Sequence, residues 1–389
     1  MRLAFLLYKY FPYGGMQRDF RRFVQELQQR GHDCRVYCIS WQGELLPELD
    51  VRQVSVHGVS NIRRYECFHA RVQDDLKANP VDGVIGFNRM PGLDIYYAAD
   101  PCYIDKALKE RSWLYRLGSR YRHFSRCERA VFGAASNTEI LLIAESQRHQ
   151  FEQYYHTPAA RMHLLPAGVS PDRRAPPDAL GQRQQARASL GLAATDHVLL
   201  LAGSGFVTKG LDRAICAVAA LRGKTGERTL RLLVVGQDKE DRFRRLARRL
   251  GVAGQVSFLG GRDDIPQLLL AADVLVHPAR AEAAGIILLE AVVAGLPVIT
   301  SEVCGYAHHI AAANAGVVLA EPFVQAALDR ALASSLVPGN QQQWQQAALA
   351  YAHARDLYSM HSTGAIAIEN IVARQVAQRA ASTMGTASE

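Results

Sequence analysis

The chain has 389 residues, 49% of them apolar and 21% charged, and a formal net charge of +8 at pH 7. This length favours two domains over one core, and the composition is that of an ordinary soluble protein. No stretch reaches the roughly 18–20 consecutive apolar residues of a membrane span, and the seven cysteines, an odd number without paired metal-type spacing, point to a reduced, cytoplasmic location.

Met1-Arg2-Leu3-Ala4-Phe5-Leu6-Leu7-Tyr8 is basic and then apolar. Lys9 and Tyr10 interrupt the run and no small-residue cleavage site follows, so a first buried strand is expected rather than a signal peptide. After a loop carrying Gly14-Gly15, Met16, Phe20, Phe23, Val24 and Leu27 recur at helical spacing up to Gly31. Cys34–Ile39 is the next strand, with Cys34 and Cys38 on one face, and completes a βαβ unit. Val81–Phe87 and Ile95–Ala99 read as further strands. Pro171–Pro177, rich in proline and charge, marks a linker. Beyond it, strand-like runs at Val198–Ala202, Leu230–Val235, Val256–Leu259, Val274–His277, Pro297–Thr300 and Gly316–Leu319 alternate with helical patterns, predicting a second parallel sheet. Past Arg374 the chain is small and polar and is expected to fray.

The segment from Glu282 to Gly295 carries the strongest chemical signal. Gly285 to Ala294 is apolar enough to be a buried helix, yet it contains Glu290, whose carboxylate needs donors from protein or ligand. Glu282 stands just before that helix, where free N–H groups and the dipole favour anions. A diphosphate at the helix start would set a ribose near Glu290, about 7 Å along the axis, and a donor sugar near Glu282. The spacing alone leaves a salt-bridged core Glu290 and a helix-capping Glu282 equally open.

The neighbouring segments add to it. Ala272-Asp273-Val274-Leu275-Val276-His277-Pro278 precedes the two glutamates and Gly295-Leu296-Pro297-Val298-Ile299 follows them. Upstream stand Thr208-Lys209-Gly210-Leu211-Asp212 and Leu164-Leu165-Pro166-Ala167-Gly168-Val169. In this order, over residues 160–320, the chain resembles the donor-binding core of retaining glycosyltransferases of the GT-B fold. Leu7–Phe20, Gly86–Asp94, Cys304–His308 and the Ala283-Ala284 pair extend the likeness over nearly the whole chain, to the lipopolysaccharide core glucosyltransferase I family, which adds glucose to an inner-core heptose.

The resemblance implies an α/β chain of GT-B architecture, two Rossmann-like domains facing an interdomain cleft. Residues 1–169 form the acceptor side, 170–355 the donor side, and 356–389 a helical segment that packs back on the first domain and ends in a frayed tail. The donor is UDP-glucose and the acceptor a heptose of the lipopolysaccharide inner core. Gly14 and Gly15 admit the diphosphate and sugar to the backbone, with a plain strand–helix turn as the alternative. Lys209 meets phosphate oxygens; many relatives carry an arginine five residues earlier, where Ser204 stands, and Arg173 is the candidate replacement. Ala284, Gly285 and Ile286 line the donor at the helix start, Glu290 the ribose and Arg262 the base, the last equally readable as a helix-start loop residue. Glu282, Asp100 and Asp19 are the candidate catalytic residues, with capping or structural roles open for the two aspartates. No Asp-x-Asp pair and no metal-type cluster occurs, so no cofactor or metal is expected and Lys209, Arg173 and the helix dipole are left to stabilise the leaving diphosphate.

Tyr103–Phe132 holds eight Lys/Arg against three acids, interleaved with Trp113, Tyr115, Tyr121 and Phe124. Read as a basic, aromatic helix, it suits the anionic cytoplasmic face of the inner membrane, with Trp113, Arg116, Arg120 and Arg122 as contacts; a solvated helix is the alternative. No recognised nucleic-acid motif accompanies it, and no nucleic-acid partner is expected. Two rival functions share these features: a GT-B nucleotide-sugar epimerase, and a non-catalytic, membrane-associated nucleotide-binding module.

Overall fold

The computed structural model describes residues 1–12, 14–45, 48–226 and 228–385. Tyr13 of the Leu7–Phe20 motif and the last four residues of the tail lie outside them. The chain divides into two compact units, Met1–Pro166 with Ser359–Glu389, and Ala167–Tyr358.

The first unit contains β1 (Arg2–Leu6), β2 (Lys9–Tyr10), β3 (Asp33–Cys38), β4 (Ser40–Trp41), β5 (Asp50–Gln53), β6 (Gly83–Gly86), β7 (Ile95–Ala98), β8 (Glu139–Leu142) and β9 (Met162–Leu164). β2 pairs with β4, and the other seven form a parallel sheet in the order β5-β3-β1-β6-β7-β8-β9. Phe20, Phe23, Val24 and Leu27 of the Gly15–Gln29 helix are fully buried, which is the stripe that drives that helix onto the sheet.

Two expectations are corrected here. Tyr103–Phe132 is not one helix: it folds as Tyr103–Glu110, a 3-10 turn at Trp113–Leu117 and Ser119–Phe132. The buried Glu128 explains the arrangement. Its carboxylate accepts from the N–H groups of Tyr103 (2.7 Å) and Ile104 (2.9 Å), capping the first helix, and from Tyr155 Oη (2.6 Å), with Arg89 Nη1 at 3.1 Å. The chain past Arg374, expected to fray, is helical as far as Gly385, in a helix that begins at Met360. Within the same unit Arg374 pairs with Glu139, Arg379 with Asp94, and Arg30 grips Glu369 through two bonds of 2.8 and 2.7 Å. Gly364 lets this helix lie against the Phe23 ring, which a side chain at that position would strike.

The second unit contains β10 (Asp196–Ala202), β11 (Thr229–Val235), β12 (Val256–Gly260), β13 (Val274–His277), β14 (Val298–Ser301) and β15 (Gly316–Leu319), in the parallel order β12-β11-β10-β13-β14-β15. Pro171–Pro177 belongs to this unit and is docked rather than free: Pro171–Arg173 is a 3-10 turn, and the Ala175 N–H bonds the Val293 carbonyl at 3.0 Å. Leu199, Leu201, Leu232, Val234, Val274, Val276 and Ile299 supply one fully buried face of the sheet. In a doubly wound sheet, ligands gather beyond the carboxyl ends of the strands where the winding reverses. That point falls between β1 and β6 in the first unit and between β10 and β13 in the second.

Candidate functional site

The chain leaves β10 at Ala202 and β13 at His277, the two strands flanking the reversal, so the loops after them are neighbours. Lys209 comes from the first loop and Glu282 from the second, and they form an ion pair. Several contacts weld the loops together. Gly210 takes a left-handed φ of +73°, and a Cβ there would strike the Pro278 carbonyl oxygen. Arg280 donates its own N–H to the Thr208 carbonyl at 2.7 Å and its guanidinium to both Asp212 oxygens at 2.8 and 2.7 Å. Arg213 Nη1 reaches the Pro278 carbonyl at 3.0 Å.

Glu282 is held from a third side by His277, whose Nε2 lies 3.1 Å from the same carboxylate oxygen. Burial pushes the Glu282 carboxyl up, but Lys209 and His277 outweigh it and bring it down to about 2. Burial alone would lower the His277 imidazole; Cys304 and Glu282 reverse that and raise it. A parallel bridge between Glu282 and Cys304 and the Tyr306 N–H bond to the Ala284 carbonyl (2.8 Å) tie this loop to the one after β14. The buried Ala283 and Ala284 leave room for that close approach.

The helix after Glu282 runs Ile286–Val293, with Gly285 in the left-handed conformation at its N-cap and no side chain capping it. Its first N–H groups and its positive dipole end therefore stand beside Lys209 and Glu282, a pairing of donors and charge suited to a phosphate. Glu290, one and a half turns on, is buried, with Arg173 Nε 3.5 Å from its Oε1. The ion pairs recorded for Arg173 are thus with the predicted ribose carboxylate and, at 3.7 Å, with Asp172, whereas a second phosphate cation was sought at the lysine loop. Ser204 Oγ instead accepts from the Gln237 N–H at 3.1 Å. Arg262 is spent on Asp264, which it grips through two nitrogens at the start of the Ile265–Ala271 helix.

In the first unit, Gly14 caps the Gly15–Gln29 helix, packed so closely on Gln17 and Phe11 that a Cβ would collide with both, whereas Gly15 has open space around its Cβ direction. Asp19 is buried and bonded to Tyr97 Oη (2.8 Å) and His361 Nε2 (3.0 Å), a structural clamp between the first and last helices of that unit. Asp100 is exposed just past β7, and its carbonyl, rather than its carboxylate, takes the Arg89 bond of 2.9 Å. Among the described residues no group of three or more His, Cys, Asp and Glu is placed to hold a metal ion.

Sequence reasoning missed His277, Asp212 and Arg280. The place of His277 at the carboxyl end of a buried strand beside the reversal was the available signal.

Residues 182–348 match the family described as Glycosyl transferases group 1, and residues 13–173 that described as Glycosyltransferase Family 4. Lipopolysaccharide glucosyltransferase WaaG of Escherichia coli strain K12 is 46% identical over 361 residues, 92% of this chain and 96% of that protein. The chain belongs to the WaaG family of lipopolysaccharide glucosyltransferases. The crystal structure of WaaG, a glycosyltransferase involved in lipopolysaccharide biosynthesis, superposes with a TM-score of 0.90 at 45% identity, covering 94% of this chain and 99% of that one. Two Rossmann-like units in this WaaG-family chain are the components of the GT-B architecture. The same fold appears in Anabaena HepE in complex with UDP-glucose, with a TM-score of 0.74 at 17% identity over 97% of this chain and 100% of that one.

Proposed function

We propose that this WaaG-family chain transfers glucose from UDP-glucose to a heptose of the lipopolysaccharide inner core with retention of anomeric configuration. The observation that carries the reading is the meeting of Lys209 and Glu282 at the uncapped start of the Ile286–Val293 helix. The diphosphate sits on that helix start and against Lys209. When the bond between the glucose C1 and the diphosphate breaks, the negative charge gathering on the leaving group is met by Lys209 and by the helix N–H groups. Glu282, kept ionised by Lys209 and His277, accepts hydrogen bonds from the donor sugar's hydroxyls. Glu290 receives the ribose hydroxyls, oriented by Arg173. The acceptor hydroxyl oxygen bonds to C1 and its proton is released.

No described helix is long and apolar enough to cross a membrane. The finer reading is peripheral docking on an anionic, cytoplasmic inner-membrane surface. It is supported by the Trp113–Leu117 turn, where Trp113, Leu114 and Leu117 are 67%, 58% and 66% exposed and Arg111, Arg116 and Arg120 surround them.

A turnover screen of nucleotide sugars against heptose-terminated core lipopolysaccharide tests the function. UDP-glucose is expected to be consumed only with acceptor present, and Lys209→Ala to abolish that turnover while remaining folded. Consumption without acceptor, or full activity in Lys209→Ala, contradicts the reading.

A further inference from the structure

In the first unit, the Asn61–Ala78 and Ser119–Phe132 helices line an open cleft of about 380 Å³ at the surface. Arg63 and Glu66 enter it from one helix, and Arg122, His123 and Arg126 from the other. Three guanidiniums against one carboxylate leave a surplus of two positive charges. Glu66 forms long ion pairs with Arg63 Nη1 (3.7 Å), Arg126 Nη2 (3.8 Å) and His123 Nδ1 (3.6 Å), none of them close enough for a hydrogen bond. The His123 side chain is only 6% exposed, and its Nδ1 has no hydrogen-bond partner. A buried polar nitrogen without an acceptor is destabilising, and native proteins seldom keep one without a use for it. Arg63 and Arg126, 76% and 70% exposed, are free to swing inward.

We infer that this pocket is a binding site for a tetrahedral dianion of the phosphomonoester class, separate from the nucleotide-sugar site and independent of the glycosyltransferase reading. The dianion matches the surplus charge, the guanidiniums present forked donors to its oxygens, and the Nδ1–H tautomer of His123 adds a donor that Glu66, at 3.6 Å, does not hydrogen-bond. Glu66 keeps the cations converged when the pocket is empty and repels the ligand when it is filled. Removing the Glu66 charge should therefore strengthen binding, an effect no folding defect imitates.

Titration calorimetry of the full chain with inorganic phosphate, at ionic strength held constant with NaCl, tests this. Wild type is expected to bind saturably, R63Q/R126Q at least about tenfold more weakly, and Glu66→Gln more tightly. Arg245→Gln with Arg248→Gln, exposed on the Asp241–Arg249 helix, controls for net charge and is expected to bind as wild type does. A second arm compares vesicles holding phosphatidic acid, a phosphomonoester, with vesicles of equal charge holding phosphatidylglycerol. A preference for phosphatidic acid that R63Q/R126Q loses assigns the group to a lipid; equal binding to both vesicles, beside saturable phosphate binding, assigns it to a soluble phosphate. Absence of saturable phosphate binding, or affinity unchanged in R63Q/R126Q, overturns the inference.

Discussion

Lys209 and Glu282, 73 positions apart, form one ion pair because the strands before them flank the point where the second sheet reverses. Each is partly buried, with 18% and 15% of its side chain exposed, so the pair is neither screened like a surface bridge nor sealed like a core one. In the proposed reaction an incoming diphosphate would compete with Glu282 for the lysine. That exchange gives the site a fixed orientation when empty and a cation to offer when filled.

Glu290→Gln is expected to weaken UDP binding about tenfold, since a charge-assisted hydrogen bond to a ribose hydroxyl is exchanged for a neutral one. The variant should fold but melt lower than wild type, because the buried Arg173 loses the nearer and more buried of its two counter-charges, Asp172 being 3.7 Å away and exposed. Calorimetry on the folded variant decides it: unchanged UDP affinity would leave Glu290 with the structural half of the role alone.

Glu369 anchors the last helix of the first unit. Its hydrogen bonds with Arg30 bring its carboxyl down to about 2 against the opposing effect of burial, with His32 assisting at 2.6 Å. A carboxyl depressed in the folded state stabilises above its unfolded pKa, about 4.5, and loses that contribution as pH falls toward 2. Glu369→Gln should therefore melt a few degrees lower than wild type at pH 7, with the gap closing between pH 4.5 and the acid limit. A gap of constant size down to pH 3 would contradict this assignment.

The sheets were legible in the sequence where strands stand out as runs of apolar residues, but the fully buried β8, Glu-Ile-Leu-Leu, opens on a charged residue and was missed. The runs at Val274–His277 and Gly316–Leu319 are observed with the predicted bounds. β5, with the sequence Asp-Val-Arg-Gln at a sheet edge, and the three-residue β9 carry no such run and were missed. The Glu282–Glu290 spacing was readable because a carboxylate inside an apolar helix is anomalous on its face. The partners of those carboxylates were not, since His277 and Arg173 reach them through tertiary contacts that no local period encodes. Glu128 was counted among the acids of a basic stretch, and only the fold reveals that its carboxylate is a helix cap.

Turnover is expected to persist in EDTA. In the proposed site Lys209 and the N–H groups of the Ile286–Val293 helix supply positive charge where the leaving diphosphate would sit. An assay with and without chelator, followed by Mg²⁺ or Mn²⁺ addition, checks this. Activity lost in EDTA and restored by either cation would place a metal in the reaction.

The proposed membrane docking separates into two parts. Arg116 and Arg120, exposed beside the Trp113–Leu117 turn, supply the electrostatic part. Each cation near an anionic surface contributes about 1 kcal/mol, so Arg116→Gln with Arg120→Gln should lower affinity for anionic vesicles roughly thirtyfold. Arg122 is left intact in this test because it also lines the phosphate pocket. Exposed charges are screened over a Debye length, about 8 Å at physiological ionic strength, so wild-type binding should fall as salt rises and the double variant should respond less steeply. The exposed indole and leucines of the turn supply the second part. Trp113→Ser should reduce the binding that survives high salt, because insertion of an indole into the interface does not depend on screening. Vesicle co-sedimentation at two salt concentrations, with neutral and anionic lipids, resolves both. Equal sedimentation of wild type and the Arg116/Arg120 variant with anionic vesicles at low salt would return this surface to a solvated turn, while turnover on a short soluble acceptor should be unaffected in either variant, since the proposed donor residues Lys209, Glu282 and Glu290 all belong to the second unit.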